Sequence, residues 1–61
     1  MKNLNKKFTI KPEFCDSKEE ESIVFIIIED NGDRMFAQQE NSTFSIVPTF
    51  LFKIEMINII D

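Results

Sequence analysis

Chemistry needs a nucleophile, a base or a set of ligands, and this chain is poor in all three. It has one cysteine and no histidine. Cys15 therefore lacks an imidazole to activate it. Asp16 adjoins it, and Glu19, Glu20 and Glu21 follow closely. Negative charge nearby raises a thiol pKa and blunts its reactivity. Cys15 is read as a small buried or half-buried thiol beside Phe14. Without histidine the usual general base near neutral pH is missing, so no catalytic residue and no enzyme activity are expected.

Carboxylates form two groups. Glu29, Asp30 and Asp33 flank a tight turn, where acids can hold a divalent cation. Their spacing matches no calcium loop. Turn chemistry accounts for Asp30, Asn31, Gly32 and Asp33 without a ligand. No metal and no cofactor are expected. Glu19, Glu20 and Glu21 read as a solvated acidic loop.

The strongest functional signal is the set of seven phenylalanines: Phe8, Phe14, Phe25, Phe36, Phe44, Phe50 and Phe52. A minimal core that must also hold many isoleucines leaves some rings at the surface. Phe50, Leu51 and Phe52 place large apolar groups on both sides of one strand. Such a patch marks a protein contact or a dimer seam.

Sixty-one residues make a single domain, 1–61. A chain of this size buries only about 60% of the surface its unfolded form exposes. With no disulfide and no zinc set available, self-association is the remaining common aid to stability. Acids outnumber bases 11 to 7, for a net charge of −4. Direct nucleic-acid binding is thus disfavoured. Basic residues gather at the start, in Lys2, Lys6, Lys7 and Lys11. The longest apolar run has six residues, against the roughly 18 that a membrane span needs. No leader segment is read at the front. A lone cysteine suits a reducing compartment, so a cytoplasmic, microbial protein without membrane contact is expected.

The elements that must position these residues are strands. Residues 1–6 are polar and read as flexible. Lys7-Phe8-Thr9-Ile10-Lys11 alternates, with Phe8 and Ile10 inward. Pro12 ends that strand, and Phe14 is expected to drop back into the core. Asp16 or Ser17 can cap one helical turn carrying the three glutamates. Ser22 to Glu29 is a second strand rich in stiff, β-branched side chains. Asn31-Gly32 supplies the two left-handed residues of a type I′ hairpin turn. The register it predicts sets Glu29 against Arg34, Ile28 against Met35, Ile27 against Phe36 and Ile26 against Ala37. Opposite charges then face each other at the first pair. Arg34 to Gln39 is the third strand. After a polar turn at 40–43, Phe44 to Phe52 reads as a fourth strand broken near Pro48. The segment Phe50 to Met56 alternates as a strand does; Ile54-Glu55-Met56-Ile57 equally suits a 3₁₀ turn before a closing strand Asn58-Ile59-Ile60. The second reading is preferred.

Together these elements predict an all-β fold: a small five-stranded antiparallel SH3-like barrel whose central hairpin turns at Asn31-Gly32. The segments Phe8-Thr9-Ile10-Lys11-Pro12-Glu13-Phe14, Glu29-Asp30-Asn31-Gly32-Asp33-Arg34, Pro48-Thr49 and Glu55-Met56-Ile57 resemble those of small uncharacterised bacterial proteins with an SH3-like barrel. That resemblance spans most of the chain from Phe8 onward. It implies the fold and brings no activity or binding residue with it. Proline-peptide-binding SH3 domains use tryptophan and tyrosine grooves, and this chain has neither residue.

The expected function is a non-enzymatic interaction module that binds a protein partner, or itself as a homodimer, through Phe50, Leu51 and Phe52. The alternative is an acidic inhibitor or antitoxin-like protein. That version docks on a basic partner through Glu19, Glu20, Glu21, Asp30 and Asp33.

Overall fold

The computed structural model describes residues 3–41 and 45–60. Alternation in Lys7–Ile10 and Arg34–Gln39 and runs of β-branched or aromatic residues in Phe25–Asp30 and Phe50–Lys53 produce, with a short closing segment, five strands. They are β1 (Lys7–Ile10), β2 (Phe25–Asp30), β3 (Arg34–Gln39), β4 (Phe50–Lys53) and β5 (Ile57–Ile59). They form one sheet in the order β4-β3-β2-β1-β5, with every neighbouring pair antiparallel. The fold is all-β with little helix. Barrel closure is not seen: β4 and β5 each have a neighbour on one side only, so the sheet is open.

Short helical pieces punctuate the strands. Pro12 stops β1 and opens a 3₁₀ turn, Pro12–Phe14. Phe14 was expected in the core, but this turn directs it outward and leaves it 47% exposed. Ser17 caps α1 (Lys18–Glu21), its hydroxyl accepting from the Glu20 N–H. The Glu20 carboxylate in turn accepts from the Asp16 N–H. A second 3₁₀ turn, Ile54–Met56, carries the chain from β4 into β5. Of the two sequence readings of this segment, the structure takes the closing-strand one. The fourth strand starts late: residues 45–49 are irregular, and β4 begins at Phe50, just past Pro48. Phe44 and the expected turn's Ser42 and Thr43 lie outside the described residues.

The predicted hairpin forms with a different register. Ile27 pairs with Ala37, yet Glu29 pairs with Phe36 and Asp30 with Met35; Ile28 is the extra residue of a β-bulge. The expected Glu29–Arg34 pair is therefore absent. A bulge reverses the facing of everything beyond it. Phe25 and Ile27 point inward, Ile28 and Glu29 are both exposed, and Asp30 is buried. Asp30 tolerates that position because two backbone N–H groups meet its carboxylate. Gly32 donates to Oδ1 and Asn3 to Oδ2, each at 2.9 Å.

The bend consequently falls one residue later than Asn31-Gly32. The Asn31 N–H donates to the Arg34 carbonyl at 2.9 Å, leaving Gly32 and Asp33 as its central residues. Gly32 has φ +91° and Asp33 does not share the positive sign. A positive φ at the first central position alone is the II′ pattern, not I′. A β-carbon at Gly32 would meet nothing within 4 Å, so Gly32→Ala isolates the backbone cost. It is expected to destabilise by about 1–2 kcal/mol. Urea titration of the two proteins checks this, and equal midpoints would refute the assigned turn.

Residues 3–6, read above as part of a flexible end, are tied to β2. Asn5 donates to the Ile27 carbonyl and Ile27 donates to the Lys6 carbonyl, at 2.8 and 2.9 Å. Asn5 sits at φ 67°, a conformation that asparagine tolerates better than most residues. The core occupies the inner face of the sheet. Phe8, Phe25, Ile27, Met35, Ala37, Phe52 and Ile57 are buried, with Ile10, Ile23 and Met56 packed against them. Phe8, Phe25 and Phe52 touch pairwise, with ring centroids 5.0–5.4 Å apart.

Candidate contact surface on the outer face

Strand alternation decides which side chains the sheet presents. Met35, Ala37 and Phe52 point into the core, so Arg34, Phe36 and Gln38 on β3, with Leu51 and Lys53 on β4, share the outer face. Register then makes neighbours of them. Phe36 stands opposite Leu51, and Arg34 opposite Lys53. Leu51 is 54% exposed and bulged Ile28 is 40% exposed, while Phe36 and Ile26 are half-buried. Gln38 Nε2 donates to Thr49 Oγ1 at 3.2 Å, holding the approach to β4. Lys7, opposite Ile26 in the register, reaches the Glu40 carboxylate at 2.6 Å. The result is an apolar centre on β2–β4 with charged residues around it.

Arg34 and Lys53 stand apart from that pattern of pairing. Among the described residues no carboxylate comes within ion-pair distance of either. Like charges directly opposite across a ladder oppose folding. They border an open groove of about 290 Å³ with Asp33, Ile54 and Glu55. The Ile54 N–H donates to the Asp33 carbonyl at 2.8 Å. This bond sets the phase of the β3–β4 ladder, in which alternate residues bond across. Leu51 and Lys53 consequently turn their N–H and C=O groups to the free edge.

The sequence grouped Phe50, Leu51 and Phe52, and the structure separates them. Phe52 is core, 8% exposed, because its side of β4 faces Met35. It contributes no surface. Phe50 lies at the rim of that same inner face, 42% exposed, with its ring 5.8 Å from Phe25. Leu51 alone of the three reaches the outer face. Phe36, Ile26, Ile28, Arg34 and Lys53 join it there, and sequence reasoning missed them as a group. The alternation Arg34-Phe36-Gln38 against Met35-Ala37 was a signal for this, once the register is known.

The acidic set is also divided. Glu19, Glu20 and Glu21 sit on α1, which packs near β1. Asp33 is in the hairpin turn, and Asp30 is buried. Hydrogen bonds from Gly32 and then Asn3 hold the Asp30 carboxyl below the usual carboxylate range. Asp30 therefore belongs to no acidic contact surface. Cys15 is half-buried. Its thiol lies within 3.7 Å of the Ile10 carbonyl and 3.5 Å of the Lys11 carbonyl. Burial first, then Glu20, Glu21 and Asp16, raise its pKa. Among the described residues no three metal-ligating side chains converge, and no helix is long and apolar enough to cross a membrane.

Neither a family model, nor a curated protein, nor a solved structure matches this chain.

Proposed function

We propose that this chain is a non-enzymatic protein-interaction module, an SH3-like arrangement left open at β4 and β5, that works in the cytoplasm. One observation carries the reading. The outer face holds Leu51 beside Phe36, with Ile26 and Ile28 on the neighbouring strand, and no element among the described residues covers it. Contiguous exposed apolar surface of this kind is characteristic of contact sites. Mixed charge around an apolar centre is the anatomy of a non-obligate interface. The acidic-inhibitor alternative is weaker, since buried Asp30 does not join the other four carboxylates at a surface.

Leu51→Ser removes the centre of the patch without touching the core. Capture from native lysate and sedimentation over about 1 µM to 1 mM are both expected to respond. The wild-type chain retains a partner or self-associates; Leu51→Ser loses at least tenfold in that binding, roughly 1.4 kcal/mol or more. Phe14→Ser, at an exposed ring outside the patch, leaves it unchanged. A monomer that captures nothing, or equal behaviour by all three proteins, would remove the proposal.

A further inference from the structure

On the reading just given, we propose that β4 is the docking edge for an extended segment of a partner protein that carries an acidic side chain two positions before an apolar one. That segment adds a further strand antiparallel to β4. Four features of the edge support it. First, Leu51 and Lys53 direct their backbone donors and acceptors away from β3, as the Ile54–Asp33 bond requires. An exposed edge of this kind is a template for an added strand. Second, the same two residues present their side chains on the outer face, so backbone pairing and side-chain reading coincide. Third, same-face positions of a strand lie about 7 Å apart. A partner's apolar group opposite Leu51 therefore extends the Phe36–Leu51 row, and its carboxylate two positions earlier stands beside Lys53, with Arg34 one strand further in. Fourth, those two cations are register partners, and among the described residues no carboxylate, Asp33 and Glu55 of the same groove included, comes within ion-pair distance of either. An incoming acid on the added strand can close an ion pair with Lys53 that no described carboxylate makes.

A second copy fits less well than a foreign acidic strand. β4 itself, Phe50-Leu51-Phe52-Lys53, contains no acid, so pairing it with its own twin brings no strand carboxylate to Lys53. The other free edge, β5, carries no charge over Ile57–Ile59. Between cation and acid, complementarity selects the partner and the register.

The test uses the full chain labelled with nitrogen-15 and two short blocked peptides of alternating threonine and isoleucine. One holds a glutamate two positions before an isoleucine; the other holds lysine there. The glutamate peptide is expected to shift the amides of Leu51 and Lys53 most and to bind at least tenfold more tightly than the lysine peptide. Added salt should narrow that gap, because exposed charges are screened. Arg34→Glu combined with Lys53→Glu is expected to reverse the preference. Should that double variant fail to fold, Lys53→Gln serves, and there the preference should shrink toward parity. Equal binding of both peptides overturns the proposal. So does sodium acetate producing the same shifts alone, which would mean an anion site only. So do concentration-dependent shifts at Leu51 without any peptide, which would identify a second copy as the occupant. If neither peptide binds but Leu51→Ser still abolishes capture, the strand-docking proposal fails and the interaction reading survives. If neither peptide binds and capture is indifferent to Leu51, both fail.

Discussion

Phe8→Ala is expected to leave this domain largely unfolded at room temperature. Phe8 is fully buried. Its ring stacks on Phe25 at 5.4 Å and meets the edge of Phe52 at 5.2 Å. Its backbone position joins β2 on one side and β5 on the other. Truncating a buried phenylalanine costs about 3–5 kcal/mol. A domain of this length holds only about 3–9 kcal/mol in all. The loss thus consumes most of the available stability. Thermal unfolding followed by circular dichroism measures it. Phe14→Ala is the control: that ring is 47% exposed, and its removal should fall within about 0.5 kcal/mol of neutral. Similar losses at both positions would contradict the assignment of inner and outer rings.

The second large effect concerns Asp30. Two backbone N–H groups point at one carboxylate. Asn at this position offers one oxygen and one donor, so one N–H would face another donor inside the fold. Asp30→Asn is expected to lower the thermal midpoint more than Gly32→Ala does. The pH dependence follows from the direction of the shift. The folded-state pKa of Asp30 is depressed, chiefly by the Gly32 and Asn3 hydrogen bonds. The stability it contributes is therefore full above the unfolded value, about 3.9. It is lost as pH falls through the depressed folded value. Between about pH 5 and pH 2 the wild-type chain should lose stability more steeply than Asp30→Asn. Parallel curves for the two proteins would show that this carboxylate is not held as described.

Strand positions were legible because alternation is strong in short, half-buried strands. β3 falls on the expected Arg34–Gln39, and β1 and the 3₁₀-to-β5 corner fall close to expectation. The candidate surface was less legible, and Ile28 is the main reason. A single bulged residue leaves composition and alternation on either side intact, but it exchanges Glu29 for Asp30 at the inner face. The expected register gave Arg34 a partner in Glu29 and placed Phe36 opposite the wrong neighbour, while the β3–β4 pairing that sets Arg34 against Lys53 had no turn signal to fix it. One local clue existed. An aspartate two residues before a glycine readily accepts that glycine's N–H, which draws Asp30 toward the turn. The docking of residues 3–6 left a fainter trace, in the tolerance of Asn5 for positive φ. Phe52 was misplaced because parity along β4 depends on where that strand begins, and Pro48 was taken as an interruption within it.

The Asn3–Asp30 hydrogen bond bridges 27 positions of chain, whereas the hairpin closes over a handful. Closing a long loop costs more chain entropy than closing a short one. Loop-closure entropy therefore favours the β2–β3 ribbon over the Asn3–Asp30 link, which makes the front of the chain the easier part to detach. In native-state hydrogen exchange the Asn3 and Asn5 amides should open ahead of those in the ribbon. The front of the chain is a clasp on the ribbon, held by the Asn3 and Asn5 amides.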